Sequence, residues 1–317
     1  MSDVSIAVLR WKIHGLSSTE YVELLRERLP DCSILEARTR EEEREVLQSA
    51  TVATGLDLPN GFVDEPNDLE LFACIFAGTS HLPLERYEAN DVAVTNASGV
   101  HAPKIGEYVL GAMIALTHRF PRAWQQQQTA TWQSYSTREL SGSRAVVVGI
   151  GAIGTAVFER LEAFGVETVG VRHSPEKGGP ADEIYGFEAI EEAVVGADYL
   201  VLACPLTDQT AGLVDRDVLE TLEPDAFVIN IARGPVVETD ALVAALQRNS
   251  IGGAALDVTD PEPLPSDHEL WAMDDVLITP HNAGHTPAYL DRCADILEEN
   301  VHRLRAGEEF LNRVVSE

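Results

Sequence analysis

Lysine is nearly absent from this chain: only Lys12, Lys104 and Lys177 occur, against twenty arginines, and the 23 basic residues face 52 acidic ones for a net charge of −29 at pH 7. So acidic a protein repels phosphate backbones and anionic headgroups, and no local basic patch offsets the imbalance, so nucleic-acid and membrane-surface binding are not expected. An anionic substrate must be met by a few placed cations. The composition resembles that of halophilic proteins from cells holding molar salt, where a Debye length of about 3 Å at 1 M screens self-repulsion. Cysteine is also scarce. Cys32, Cys74, Cys204 and Cys293 lie far apart without a C-x-x-C pair, which indicates neither a zinc site nor a disulfide framework and fits a reducing compartment. No long hydrophobic run is present either: the longest, Ala145 to Phe158, has 14 residues including three glycines, short of the ~18 a membrane span needs. Asp3 precedes a short apolar strand where a signal peptide would carry a basic region and a long apolar core. A soluble, cytoplasmic protein is expected.

What is there is an alternation of strands and helices. The length of 317 residues suggests two domains, and 45% hydrophobic residues can fill ordinary cores. In the first hundred residues, Ser5–Leu9, Cys32–Leu35, Thr51–Thr54, Leu71–Phe76 and Val92–Thr95 read as strands, with helices over Thr19–Arg28 and Arg40–Gln48. Because parallel neighbours need a crossover, this predicts a mostly parallel, flavodoxin-like layer. Pro103 suits the first turn of a long helix to about Thr117, whose apolar stretch Tyr108–Leu116 should be buried. The run Gln125–Gln128 beside Trp124 and Trp132 reads as a solvated helix face.

From Arg144 the alternation restarts with six strand candidates, Ala145–Val148, Thr168–Val171, Tyr199–Ala203, Phe227–Ile231, Ala254–Asp257 and Val276–Thr279, the count of a complete doubly wound Rossmann sheet. A last helix spans Pro287–Ala306. The expected division is a discontinuous substrate domain, 1–98 with 285–317, and a dinucleotide-binding domain, 99–284.

Gly149-Ile150-Gly151-Ala152-Ile153-Gly154 follows the strand Ala145–Val148 and opens a helix, which is the context a G-x-G-x-x-G pattern requires. Gly149 permits the tight turn, Gly151 lets a pyrophosphate approach, and Gly154 lets helix and strand pack closely, while the amides of Ala152 and Ile153 belong to the helix N-terminus that meets the anion. The next strand runs into Arg172-His173-Ser174, with no carboxylate where a ribose acceptor would stand. Arg172, with Ser174 and His173 beside it, can instead pair with a 2′-phosphate. NADP(H) is therefore the expected cofactor, with NAD(H) as the alternative.

Three later segments each put a reactive side chain just past a strand: Arg233, Glu262 and His281. In doubly wound sheets that edge faces the ligand. With Val148–Gly154, Ala203-Cys204-Pro205-Leu206-Thr207, Asn230-Ile231-Ala232-Arg233-Gly234, Asp257 through Glu262-Pro263 and Thr279-Pro280-His281, the chain resembles the D-isomer-specific 2-hydroxyacid dehydrogenase family over nearly its whole length. Reduction of a 2-oxoacid needs a hydride, a proton for the carbonyl oxygen and a cation for the carboxylate. His281 is the candidate acid and base, Glu262 the carboxylate partner that favours its imidazolium form, and Arg233 the anchor.

The resemblance implies further roles. Backbone amides at Ala77 and Gly78 would hold the substrate carboxylate, Asp257 would bind the nicotinamide carboxamide, Cys204, Pro205 and Thr210 would line the adenosine side, and Ile231 would lie at the cofactor. It also implies a homodimer packed through the nucleotide domains. His285 follows His281 by four, but Asn282, Ala283 and Gly284 intervene and no third ligand is evident, so no metal is expected. Where the family commonly has glycine-x-aspartate, this chain has Gly78-Thr79-Ser80-His81, and different contacts are expected there. Side-chain specificity would rest on Leu9–Ile13, Gly55–Leu58 and Phe76. Glyoxylate or hydroxypyruvate reductases and short phosphoglycerate dehydrogenases of the same family are the alternatives, and a dinucleotide-sensing regulator is the reading from another class.

Overall fold

The computed structural model describes residues 4–12, 15–65 and 67–316. Asp3 and Ile13, both named above, lie outside the described residues. The chain forms two compact units, residues 1–100 with 286–317, and residues 101–285. The first unit opens with β1 (Ser5–Val8), α1 (Ser18–Arg28), β2 (Ser33–Glu36), α2 (Arg40–Leu47), β3 (Val52–Gly55), β4 (Leu71–Cys74), α3 (Leu84–Ala89) and β5 (Ala93–Thr95). The second contains α4 (Ala102–Thr117), α5 (Phe120–Gln128), β6 (Arg144–Val148), α6 (Ala152–Glu162), β7 (Glu167–Val171), β8 (Glu183–Tyr185), α7 (Ile190–Ala193) and β9 (Tyr199–Leu202). It continues through α8 (Arg216–Thr221), β10 (Phe227–Asn230), α9 (Thr239–Gln247), β11 (Gly253–Leu256) and β12 (Val276–Ile278). The chain then returns to the first unit with α10 (Tyr289–Ala306) and β13 (Arg313–Val314).

In the first unit the strand order is β13-β5-β4-β3-β1-β2. Its five parallel strands follow the flavodoxin-like order. The sequence pattern omits β13, which pairs antiparallel with β5 through Arg313–Thr95 and Val314–Val94. Side chains alternate between two cores. Ile6, Val8, Val52, Leu71 and Ala73 face one that α1 and α10 complete, whereas Ala7, Ala53, Phe72, Cys74 and Val94 face the other. Both helices carry their own end signals: Ser17 caps α1 by accepting from the Glu20 amide, and Gly307 ends α10 in the left-handed region.

In the second unit seven strands run in the order β12-β11-β10-β9-β6-β7-β8, all parallel. The six expected strands are present with ends shifted by at most one residue, and β8 is added at the edge. Val146, Val148, Leu200, Leu202 and Val228 pack on one face, and Ala145, Val147, Tyr199, Val201 and Ile229 on the other. Burial on both faces explains why these strands read as nearly unbroken apolar runs. Helix α4 covers the second face with Val109, Met113 and Leu116. Among the described residues no helix is long and apolar enough to cross a membrane.

Candidate active site

All parallel strands of the second unit end at one edge, so the residues that follow β6, β7, β9, β10, β11 and β12 gather there. The glycine turn after β6 is built by sterics. Gly149 has φ +102°, and a Cβ on it would lie 2.7 Å from the Ala203 carbonyl carbon and the Cys204 nitrogen. On Gly154 a Cβ would sit 2.0 Å from the Gly149 oxygen, so α6 can approach the turn only with glycine there. Gly151 differs, since its Cβ position has nothing within 4 Å. It is also the N-cap of α6 and supplies no side-chain cap, so the first-turn amides, those of Ala152 and Ile153 included, are available to an anion. This open cradle with a bare helix N-terminus fits a dinucleotide pyrophosphate.

At the end of β7, Arg172 is held twice. Its amide donates to Tyr185 O on β8 at 3.0 Å, and its Nη1 donates to Gly178 O at 2.6 Å. His173 Nδ1 lies 3.1 Å from Ser174 Oγ. After β9, Pro205 is exposed while Cys204 and Thr210 are buried. Burial pushes the Cys204 thiol up to about 11, so it stays protonated at neutral pH and packs as an apolar group. Thr210 Oγ1 donates to Pro205 O at 2.6 Å and accepts from the Thr207 amide at 2.8 Å, which shapes the loop from within. Ile231, 7% exposed, ties its amide to Leu202 O at 3.2 Å.

Beyond β10, the buried Asn230 braces the turn that carries Arg233. Its Oδ1 accepts from the Ala232 amide at 3.0 Å and its Nδ2 donates to Arg233 O at 3.1 Å. Arg233 itself is exposed, with Nη1 donating to Ala232 O at 2.6 Å. The backbone then passes so close to Thr259 that a Cβ on Gly234 would lie 2.1 Å from its carbonyl oxygen.

Beyond β12, His281 Nδ1 lies 2.7 Å from Glu262 Oε1, with both side chains about half exposed. A carboxylate on Nδ1 selects the tautomer with its proton there and leaves Nε2 as the ring's other hydrogen-bonding atom. Asp257, 3% exposed, lies under the same loop. Its Oδ1 accepts from Thr279 Oγ1 at 2.5 Å and from the Asn282 amide at 2.7 Å, and its Oδ2 from the Ala283 amide at 3.0 Å. The observed bonds of Asp257 therefore run to the histidine loop. Among the described residues no group of three His, Cys, Asp or Glu could hold a metal.

In the first unit, Ala77 and Gly78 are exposed in the loop after β4, where Asn96 Nδ2 donates to Ala77 O at 2.6 Å. His81, in the divergent Thr79-Ser80-His81 stretch, places Nε2 at 2.8 Å from Leu56 O. Sequence reasoning passed over Asn230 and Thr279, although both stand inside motifs it singled out, and Tyr108, the polar residue that begins an apolar helical stretch.

Residues 110–283 match the family model for the D-isomer specific 2-hydroxyacid dehydrogenase, NAD binding domain. A glyoxylate/hydroxypyruvate reductase of Arabidopsis thaliana is 32% identical over 78% of this chain and 76% of its own length. A glyoxylate reductase of Thermofilum pendens is 31% identical over 78% of this chain and 75% of its own. The D-isomer specific 2-hydroxyacid dehydrogenase of Xanthobacter autotrophicus Py2, solved in complex with NADPH and MES, superposes with a TM-score of 0.78 at 28% identity, covering 99% of this chain and 98% of that one.

Proposed function

The chain belongs to the D-isomer specific 2-hydroxyacid dehydrogenases, NAD(P)-dependent oxidoreductases of 2-hydroxy acids, and from that premise we propose that it reduces small 2-oxoacids to D-2-hydroxyacids with NADPH as the preferred reductant. The observation that carries this reading is the 2.7 Å contact of His281 Nδ1 with Glu262 Oε1, at the strand edge that also bears Arg233 and the open glycine cradle. Relatives named glyoxylate and hydroxypyruvate reductases favour a short substrate side chain.

In this mechanism the amides of Ala152 and Ile153 would hold the pyrophosphate, and Arg172 with Ser174 would meet the 2′-phosphate. NADPH, when bound, supplies the hydride. The Arg233 guanidinium binds the substrate carboxylate through a two-pronged, charge-assisted contact that orients the carbonyl. His281 then gives its Nε2 proton to the carbonyl oxygen as negative charge develops there, and Glu262 keeps the ring oriented and its charge balanced. In the reverse direction the neutral imidazole takes the proton back. Steady-state turnover of glyoxylate, hydroxypyruvate, pyruvate and branched 2-oxoacids with NADPH and with NADH, followed at 340 nm, tests the reading. Binding of NADPH with no turnover across the panel would turn the assignment toward a dinucleotide-sensing regulator.

A further inference from the structure

We propose that Tyr108 and Thr279 are positioning residues for His281, linking helix α4 to the catalytic loop through a chain of hydrogen bonds with one fixed direction. The proposal rests on the reading of His281 as the acid–base group.

His281 needs such support. Its φ is +51°, in the left-handed region that a non-glycine residue occupies only under strain, so surrounding contacts must hold it there. Those contacts converge on Asp257 and Thr279. The His281 amide lies within hydrogen-bond distance of both Asp257 O (2.9 Å) and Thr279 O (3.0 Å), and the next two amides donate to the Asp257 carboxylate.

The proton order follows from the chemistry of the partners. An ionised carboxylate can only accept, so across the 2.5 Å contact Thr279 Oγ1 must donate to Asp257 Oδ1. A hydroxyl has one proton, so across the 2.7 Å contact with Tyr108 the threonine oxygen can only accept, and Tyr108 must donate. Burial holds the Tyr108 phenol above its ordinary range, which keeps that donor protonated. The chain therefore runs from Tyr108 through Thr279 to Asp257, whose carboxylate in turn gathers the amides of the His281 loop.

The other end of the loop is tied to the same helix. His101, the N-cap residue of α4, has Nδ1 at 2.9 Å from Gly284 O. Residues 101 and 108 thus brace the loop on both sides of His281, at Gly284 and at Thr279. The ring of His281 is fixed by Glu262, but the backbone from which that ring projects is fixed by α4.

The test compares Tyr108→Phe, Thr279→Val, the pair together, Thr279→Ser and His281→Ala. Each is measured for kcat, for KM of NADPH and of the 2-oxoacid, for the solvent deuterium isotope effect on kcat, and for melting temperature. A misplaced proton donor slows proton transfer, so Tyr108→Phe and Thr279→Val should lower kcat by about 10-fold or more, raise the isotope effect and leave the KM for NADPH unchanged. Thr279→Ser keeps the hydroxyl and should restore kcat to within about 2-fold of wild type, because the same donor and acceptor remain. Because the chain passes through Thr279, the double variant should be no slower than Thr279→Val alone. If Thr279→Val does not fold, Tyr108→Phe, which loses only one oxygen, carries the test. Wild-type kcat and isotope effect in a folded Tyr108→Phe, with His281→Ala inactive, would overturn the positioning role and leave the acid–base reading standing. An active His281→Ala would overturn that reading itself.

Discussion

His281 stands nineteen positions after Glu262 in sequence, and the fold brings Oε1 of the glutamate to 2.7 Å from Nδ1 of the histidine. Glutamine at position 262 retains an oxygen that can accept from Nδ1 but carries no charge, whereas alanine removes both. Glu262→Gln should therefore keep the ring oriented and lower the reduction kcat by roughly 10- to 100-fold, because the charge that balances a proton-donating ring is gone. Glu262→Ala should cost more. Steady-state kcat of the two variants beside wild type checks this, and a Glu262→Gln enzyme as fast as wild type would show that charge is irrelevant at the site.

The Arg172 Nη1 bond to Gly178 O commits one arm of the guanidinium to the protein and sets where the fork stands. On the proposed reading of this strand end, replacing Arg172 with Asp would remove a phosphate partner and supply a ribose acceptor. The kcat/KM for NADPH should fall by about 10- to 100-fold, as expected for one charge-assisted contact, and that for NADH should rise. A wild-type enzyme that already prefers NADH would refute the assignment of this strand end.

Gly151 and Gly154 make opposite demands. The Cβ of a Gly154→Ala variant would collide with the Gly149 oxygen, a backbone atom that cannot step aside, so melting temperature and cofactor binding should fall together. Gly151→Ala meets open space in the protein and should melt like wild type while losing NADPH affinity, because its methyl group occupies ground that the pyrophosphate needs. Thermal melts beside fluorescence titration with NADPH separate the two cases. A Gly151→Ala variant with full affinity would place the phosphates elsewhere.

This contrast also explains what could be read in the sequence. The glycine turn is legible because close approach leaves no other residue type for Gly149 and Gly154, and the central strands are legible because burial on both faces makes them continuously apolar. β8 escapes notice for the converse reason. Glu183-Ile184-Tyr185 is a three-residue edge strand with charged and half-exposed side chains, held by backbone pairing to β7, and β13 has only two residues. Arg233, Glu262 and His281 stand out as reactive side chains just past strands. Tyr108 does not, since its partner Thr279 is 171 residues away and nothing local to the helix marks a tyrosine as a donor rather than as core. Asn230 is likewise silent, being the last residue of a buried strand whose amide turns to hold the backbone ahead of it.

The acid excess makes one prediction about the whole molecule. With 52 acidic and 23 basic residues, compaction concentrates like charge, and the arginines answer it locally, as where Arg28 lies 3.2 Å from Asp291 and 3.8 Å from Glu298. Such surface pairs contribute only about 0–1 kcal/mol each and are themselves weakened by salt, so they alone would make the protein less stable as salt rises. Net repulsion acts the other way, because screening it favours the compact state. At −29 the repulsive part should win, and the melting temperature should rise from dilute buffer to molar KCl. Potassium chloride is the salt to use, since sulfate would also strengthen apolar burial and confuse the two causes. A melting temperature that is flat or falls over that range would mean that local ion pairs outweigh the net charge and that the acidic surface is no adaptation to salt.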